Sequence, residues 1–147
     1  MKWLALDIGG ANIKVADGAG FACSQPYALW LRPEGLPQEL RMMIDEAPPC
    51  DHVAVTMTGE LSDAFPSRRQ GVERLARLMA EELSGDIRLY GGAAGFLSPG
   101  DARSNALDIA SANWHASAAL SARTIEEALF IDMGSATTDM VPVSNGL

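Results

Sequence analysis

The sequence predicts an α/β fold: a mixed five-stranded sheet in the order 3-2-1-4-5, helices on both of its faces, and a short hairpin after it. Three observations lead there. Strand-like segments open the chain, separated by glycine turns. Helix-period and strand-like segments then alternate. Finally, a motif near the N-terminus recurs near residue 132.

Leu4-Ala-Leu-Asp-Ile8 is an apolar strand closed by Gly9-Gly10, a pair suited to a tight antiparallel turn. Residues 11–16 alternate, with Ile13 and Val15 on one face and Asn12 and Lys14 on the other. Asp17-Gly18 and Gly20 turn the chain again, and residues 21–31 read as a third strand. Leu36, Leu40, Met43 and Ile44 recur at helical spacing until Pro48-Pro49 ends the run. Residues 53–57 form a short buried-type strand, and residues 58–69 a polar loop. Val72, Leu75, Ala76, Met79 and Leu83 mark a second amphipathic helix ending near Gly85. Residues 87–90 give the fifth strand, and 91–100 a flexible loop. Residues 102–122 read as one long Ala-rich helix with Ile109, Ala110, Trp114 and Ser117 on one face. Residues 129–131 and 138–143 form the closing hairpin.

The repeat is the most informative feature. Displacing the sequence by 125 residues lays Leu4, Asp7, Gly9 and Ala11 on Leu129, Asp132, Gly134 and Ala136, and Lys14 on Asp139. Each copy is an apolar strand, an aspartate, a glycine turn and a second strand. Glycine lets backbone amides approach a phosphate, and a carboxylate at the strand end suits Mg²⁺ or its water shell. On this reading Gly9, Gly10, Asn12, Lys14, Gly134, Ser135, Thr137 and Thr138 are phosphate-binding, and Asp7 and Asp132 are metal-binding and catalytic. Such a turn taken singly is also found in ordinary hairpins; the pair together favours a ligand.

Other residues carry chemistry less specifically. Thr58-Gly-Glu60 follows a strand end, where α/β folds place ligand-contacting loops. Glu60 and Asp63 are candidate bases, and Arg68 and Arg69 candidate phosphate clamps, against the alternative of a solvated polar loop. Asn113 and Trp114 read as core or as site. Tyr90-Gly-Gly-Ala-Ala-Gly95 lacks the Lys-Ser/Thr of a Walker loop and reads equally as hinge or site loop.

Asp7-Ile-Gly-Gly-Ala-Asn-Ile-Lys14 and Asp132-Met-Gly-Ser-Ala-Thr-Thr-Asp139 resemble the two phosphate motifs of the sugar-kinase/actin/Hsp70 superfamily. That resemblance implies a ribonuclease-H-like (actin-like ATPase) domain over residues 1–127. It also implies that residues 128–147 open a second, truncated domain, with Mg²⁺ and a nucleotide such as ATP between the two turns. The superfamily's adenosine-binding motif has no counterpart in these residues. A narrower resemblance rests on Asp7–Lys14, Thr58-Gly-Glu-Leu-Ser-Asp-Ala-Phe65 with Arg68-Arg69, Ala112-Asn-Trp-His115 and Ile131-Asp-Met-Gly-Ser135. Together these are similar to hydantoinase A/oxoprolinase-related proteins of tetrahydromethanopterin-linked one-carbon metabolism. It implies a transferase of methanofuran-type carrier biosynthesis. Such an enzyme condenses an aminomethylfuran diphosphate with a glutamyltyramine-like phenol and releases diphosphate. An ATP-dependent kinase or hydantoinase-like ATPase is the alternative, and a noncatalytic scaffold the third. The full-length protein is then expected to be the enzyme, and this fragment inactive alone.

Bulk properties narrow the partners. Among 147 residues, 48% are apolar and 20% charged, with a net charge of −8. That balance suits a globular chain and opposes nonspecific nucleic-acid binding, which needs Lys and Arg against phosphates. No apolar run approaches a membrane span, and Asp7 interrupts the N-terminal one too early for a signal peptide. A cytoplasmic protein with a phosphorylated small-molecule substrate is expected, with Cys23 and Cys50 reduced. The closing hairpin, with Phe130, Ile131 and Met140, is expected to pair copies of the chain into a homodimer.

Overall fold

The computed structural model describes residues 1–134 and 138–145. β1 (Trp3–Ile8) pairs antiparallel with β2 (Asn12–Ala16), and β2 pairs antiparallel with β3 (Ala22–Pro26). β1 also pairs in parallel with β4 (His52–Met57), and β4 in parallel with β5 (Asp86–Tyr90). The order is therefore 3-2-1-4-5, with β1 central, and a sixth strand extends it. β6 (Phe96–Leu97) adds antiparallel to β5. The expected loop over 91–100 is thus a tight turn, closed by Gly91 N donating to Gly95 O at 2.8 Å, and a two-residue strand too short to leave a periodic signal.

The alternation of β1, β2 and β4 sends Leu4, Leu6, Ile8, Ile13, Val15, Val53, Val55 and Met57 to one face, where all are buried. Two helices cover that face. α1 (Leu36–Glu46) contributes Leu36, Leu40 and Met43; α2 (Arg68–Glu82) contributes Val72, Leu75, Ala76 and Met79. α1 starts with a proline in its first turn. α2 starts at Ser67, whose Oγ accepts from Gln70 N at 3.3 Å. The opposite face carries Ala5, Asp7, Lys14, Ala16, Ala54 and Thr56. Cys23 and Cys50 are free and half-buried at the margin of the core.

Two further expectations are corrected. The third strand ends at Pro26 rather than near residue 31. Beyond it the chain bonds to the first turn instead, Tyr27 N donating to Ala11 O at 2.8 Å and Leu29 N to Gly10 O at 2.9 Å. The Ala-rich helix over 102–122 is broken. α3 (Ala106–Ile109) and α4 (Asn113–Ala122) are separated at Ser111, which has φ of 54°. A left-handed conformation costs a non-glycine residue about 1 kcal/mol. The Ser111 hydroxyl offsets this by donating to Glu60 Oε1 at 2.6 Å and accepting from Arg68 Nη2 at 3.2 Å. Composition alone favours an unbroken helix; this long-range contact does not show in it.

A separate hairpin, β7 (Glu127–Met133) with β8 (Thr138–Ser144), packs against α4. Its register repeats the first hairpin. Asp7 pairs with Lys14 and Asp132 with Asp139; Leu6 pairs with Val15 and Ile131 with Met140.

Candidate functional site

Gly9 makes the first turn tight. Its amide donates to Asn12 O at 2.9 Å, and a Cβ at Gly9 would sit 2.7 Å from that same oxygen. The turn sets Asp7, Gly10, Asn12 and Lys14 at the C-terminal end of β1. Thr58 N donates to Ile8 O at 2.9 Å and brings the loop after β4 alongside.

Asp7 sits between two cross-strand neighbours on the open face. Lys14 Nζ lies 3.1 Å from its Oδ2, and Thr56 Oγ1 donates to Oδ1 at 3.0 Å. The carboxylate is therefore fixed in orientation and balanced by one cation.

A cleft of about 310 Å³ joins the two hairpins. Asp7, Gly9, Gly10, Asn12 and Lys14 line it from the first, and Asp132, Gly134 and Asp139 from the second. Thr58, Ser62 and Asn113 complete much of its polar wall. The structure thus places both repeat aspartates on one cavity. Asp139 also lines the cleft, at the position that the repeat lays on Lys14, where a carboxylate replaces a cation and gives no motif signal of its own. Asn113, the first residue of α4, enters the cleft because the break at Ser111 redirects the helix.

Several candidates lie elsewhere. Glu60 is 1% exposed and packed beneath α2 rather than on the cleft. A Cβ on Gly71 would come within 2.8 Å of its Cα, so α2 passes directly over it. Ser111 supplies its one short hydrogen bond; Arg68 Nη2 is 3.8 Å from Oε1, and Oε2 has no partner among the described residues. Burial pushes its carboxyl above the usual carboxylate range, with Ser111 and Arg68 opposing. Asp63 is exposed and does not line the cleft. Arg69 donates to Arg103 O at 2.8 Å, so both arginines join α2 to the segment around α3 instead of facing the glycine turns. Thr138 is exposed opposite Met133 on the far face of the hairpin. Ser135 and Thr137 fall outside the described residues.

The donor set suits a hard divalent cation. Asp132 and Asp139 face each other directly across β7 and β8, both half-buried, and Asp7 lines the same cleft. Two like charges at such a position repel unless something positive lies between them. Among the described residues no group of three or more His, Cys, Asp or Glu side chains forms a ready cage. Mg²⁺ takes one or two carboxylates and completes its shell with water and substrate phosphate oxygens, so Asp7, Asp132 and Asp139 are the residues that could hold it. Among the described residues, no helix is long and apolar enough to cross a membrane.

Residues 51–147 match the hydantoinase/oxoprolinase family. Over 146 residues the chain is 31% identical to the (4-{4-[2-(gamma-L-glutamylamino)ethyl]phenoxymethyl}furan-2-yl)methanamine synthase of Methanocaldococcus jannaschii. The match covers 97% of this chain and 43% of that protein's length.

Proposed function

The chain belongs to the hydantoinase/oxoprolinase family, and we propose that it contributes the diphosphate-holding half of a synthase of methanofuran-type one-carbon carriers. The observation that carries this reading is the single cleft shared by the two repeated glycine turns. The name of the M. jannaschii relative supports the reaction class: its product joins a phenol to a furan-methyl carbon through an ether. Forming that ether from a furan-methyl diphosphate breaks the carbon–oxygen bond to the diphosphate, and the phenol loses its proton.

The residues of this chain suit the departing group. The amides of Gly10 and Ala11 in the first turn and the Asn12 and Ser62 side chains offer neutral donors, and Lys14 offers a cation. Asp7 and Asp132, with Asp139 beside them, would hold Mg²⁺, which would neutralise charge on the diphosphate. Lys14 keeps Asp7 oriented through its 3.1 Å contact. Glu60, buried away from the cleft, serves in this reading to fix Ser111 and hence the start of α4. The acceptor and its base belong to residues beyond this cleft wall. The repeated register supports reading residues 128–147 as part of a second domain.

Calorimetric titration with inorganic diphosphate tests the reading. Binding that requires Mg²⁺ and is lost in both Asp7→Asn and Asp132→Asn supports it. Metal-independent binding, or binding unaffected by either substitution, refutes it.

A further inference from the structure

Lys14, Asp7, Thr56 and Tyr90 form one row across four neighbouring strands. Asp7 pairs with Lys14 on β2 and with Thr56 on β4. Leu89 pairs with Val55, so Tyr90, the next residue of β5, stands beside Thr56. Leu89 is buried on the helix-covered face, and alternation sends Tyr90 to the open one. There the four residues line a second cavity, of about 400 Å³, which meets the cleft at Asp7 and Lys14. We propose that Tyr90, backed by His115 of α4, is the base that takes the proton of the acceptor phenol. The inference rests on the functional reading above for the reaction and for where the diphosphate lies.

The surroundings of Tyr90 suit that task. Its hydroxyl lies 2.8 Å from His115 Nδ1, and Phe96 packs edge-on against its ring with centroids 5.3 Å apart. A neutral imidazole with its proton on Nε2 accepts the tyrosine proton at Nδ1. The tyrosine oxygen then remains able to accept a second proton from the cavity. Both side chains are half-buried, so neither is sealed from substrate or water. α4 ties the pair to the site: Asn113 lines the cleft, Ala116 lines the cavity, and His115 stands between them in sequence.

The other titratable groups are committed elsewhere. Among the described residues lining the two cavities they are Asp7, Lys14, Asp132 and Asp139. Lys14 is a cation paired with Asp7. The three carboxylates are those that would hold Mg²⁺, whose charge makes them weak bases. Glu60 is buried beneath α2. His52 lies 3.2 Å from Asp86, at the opposite end of β4.

The step balances without a further reactant. The phenol gives its proton to the Tyr90 oxygen as the Tyr90 proton passes to His115 Nδ1. The phenol oxygen's electron pair forms the bond to the furan-methyl carbon. The pair of the breaking carbon–oxygen bond leaves on the diphosphate, and the imidazolium then returns its proton to water.

The test supplies the full-length enzyme with a furan-methyl diphosphate, Mg²⁺ and one of two acceptors. One is a para-alkylphenol; the other is the same phenol with fluorines on its ring, small enough to substitute for it and ionised at neutral pH. Tyr90→Phe and His115→Ala are each expected to lower kcat with the plain phenol by about a hundredfold, a usual scale for general-base catalysis, with KM for the diphosphate unchanged. With the fluorinated phenol both variants are expected to stay within a few-fold of the wild type, because no proton remains to be removed. The double variant is expected to be no slower than either single one. Added imidazole is expected to restore His115→Ala and not Tyr90→Phe. Equal losses on the two phenols, or no loss on either, overturn the inference and leave the pair as a tie between α4 and the sheet. A selective loss in Tyr90→Phe alone overturns the role of His115. If the wild type accepts only the plain phenol, imidazole decides: no restoration of His115→Ala overturns the inference. Ether from neither phenol overturns the functional reading, and this inference with it.

Discussion

Asp132 and Asp139 stand directly opposite each other across β7 and β8, in the register position that Asp7 and Lys14 hold across β1 and β2. The first hairpin carries a neutralising lysine there; the second carries another carboxylate. Removing one of the two should relieve repulsion when no cation is bound. Asp139→Asn is expected to raise stability without Mg²⁺ by about 0.2–1 kcal/mol, the usual size of a cross-strand pair term. It should also shrink the stabilisation that added Mg²⁺ confers. Thermal melts with and without Mg²⁺ check both effects. A destabilised variant with an undiminished Mg²⁺ response contradicts this role for the pair.

In the full-length enzyme, Asp7→Ala and Asp132→Ala are each expected to lower turnover by about a hundredfold or more, the scale of losing one well-placed electrostatic group. Lys14→Ala should cost less, because the turn amides and the metal remain. A chelator should abolish activity, and added Mg²⁺ restore it. Steady-state kinetics alongside circular dichroism separate lost chemistry from lost fold. Turnover indifferent to chelation would leave the aspartates as hairpin residues only.

Glu60 gives a pH prediction. Burial raises its carboxyl above the ordinary range, so the folded chain holds this proton more tightly than the unfolded one. Its contribution to stability is full below the unfolded carboxyl value of about 4.3 and declines as pH rises through the folded value. Glu60→Gln removes that decline. The melting temperature of Glu60→Gln minus that of the wild type should therefore increase with pH across this window. Parallel curves would show that Glu60 is not held protonated by its surroundings.

The outer face of the second hairpin predicts association. Ile131, Met133 and Met140 are 53%, 78% and 67% exposed, whereas their counterparts in the first hairpin, Leu6, Ile8 and Val15, are core residues. An apolar patch of this kind seeks cover, and a second copy of the chain can supply it. Sedimentation velocity should show self-association that grows with concentration and weakens in Ile131→Lys. A strict monomer at high concentration refutes this.

The order 3-2-1-4-5 was legible because the apolar runs at residues 4–8 and 53–57, the alternation of residues 11–16 and the helical spacing of Leu36 to Ile44 are local signals. That Asp7 and Asp132 line one cleft was legible through the repeat. Glu60 misled because a polar Thr-Gly-Glu string after a strand looks like a site loop. Its burial depends on α2 passing over it at Gly71 and on Ser111, 51 residues away. The helix break at Ser111 and the place of Asn113 in the cleft were hidden for the same reason. Phe96 was lost in a glycine-rich stretch whose strand has only two residues.

The most direct measurement is the stoichiometry of what leaves the full-length enzyme when a furan-methyl diphosphate and a phenolic acceptor are supplied without ATP. The account predicts one diphosphate released for each ether formed, dependent on Mg²⁺ and lost in Asp7→Ala. No product without ATP, with ADP released in proportion once ATP is added, would contradict it and make the cleft a nucleotide site.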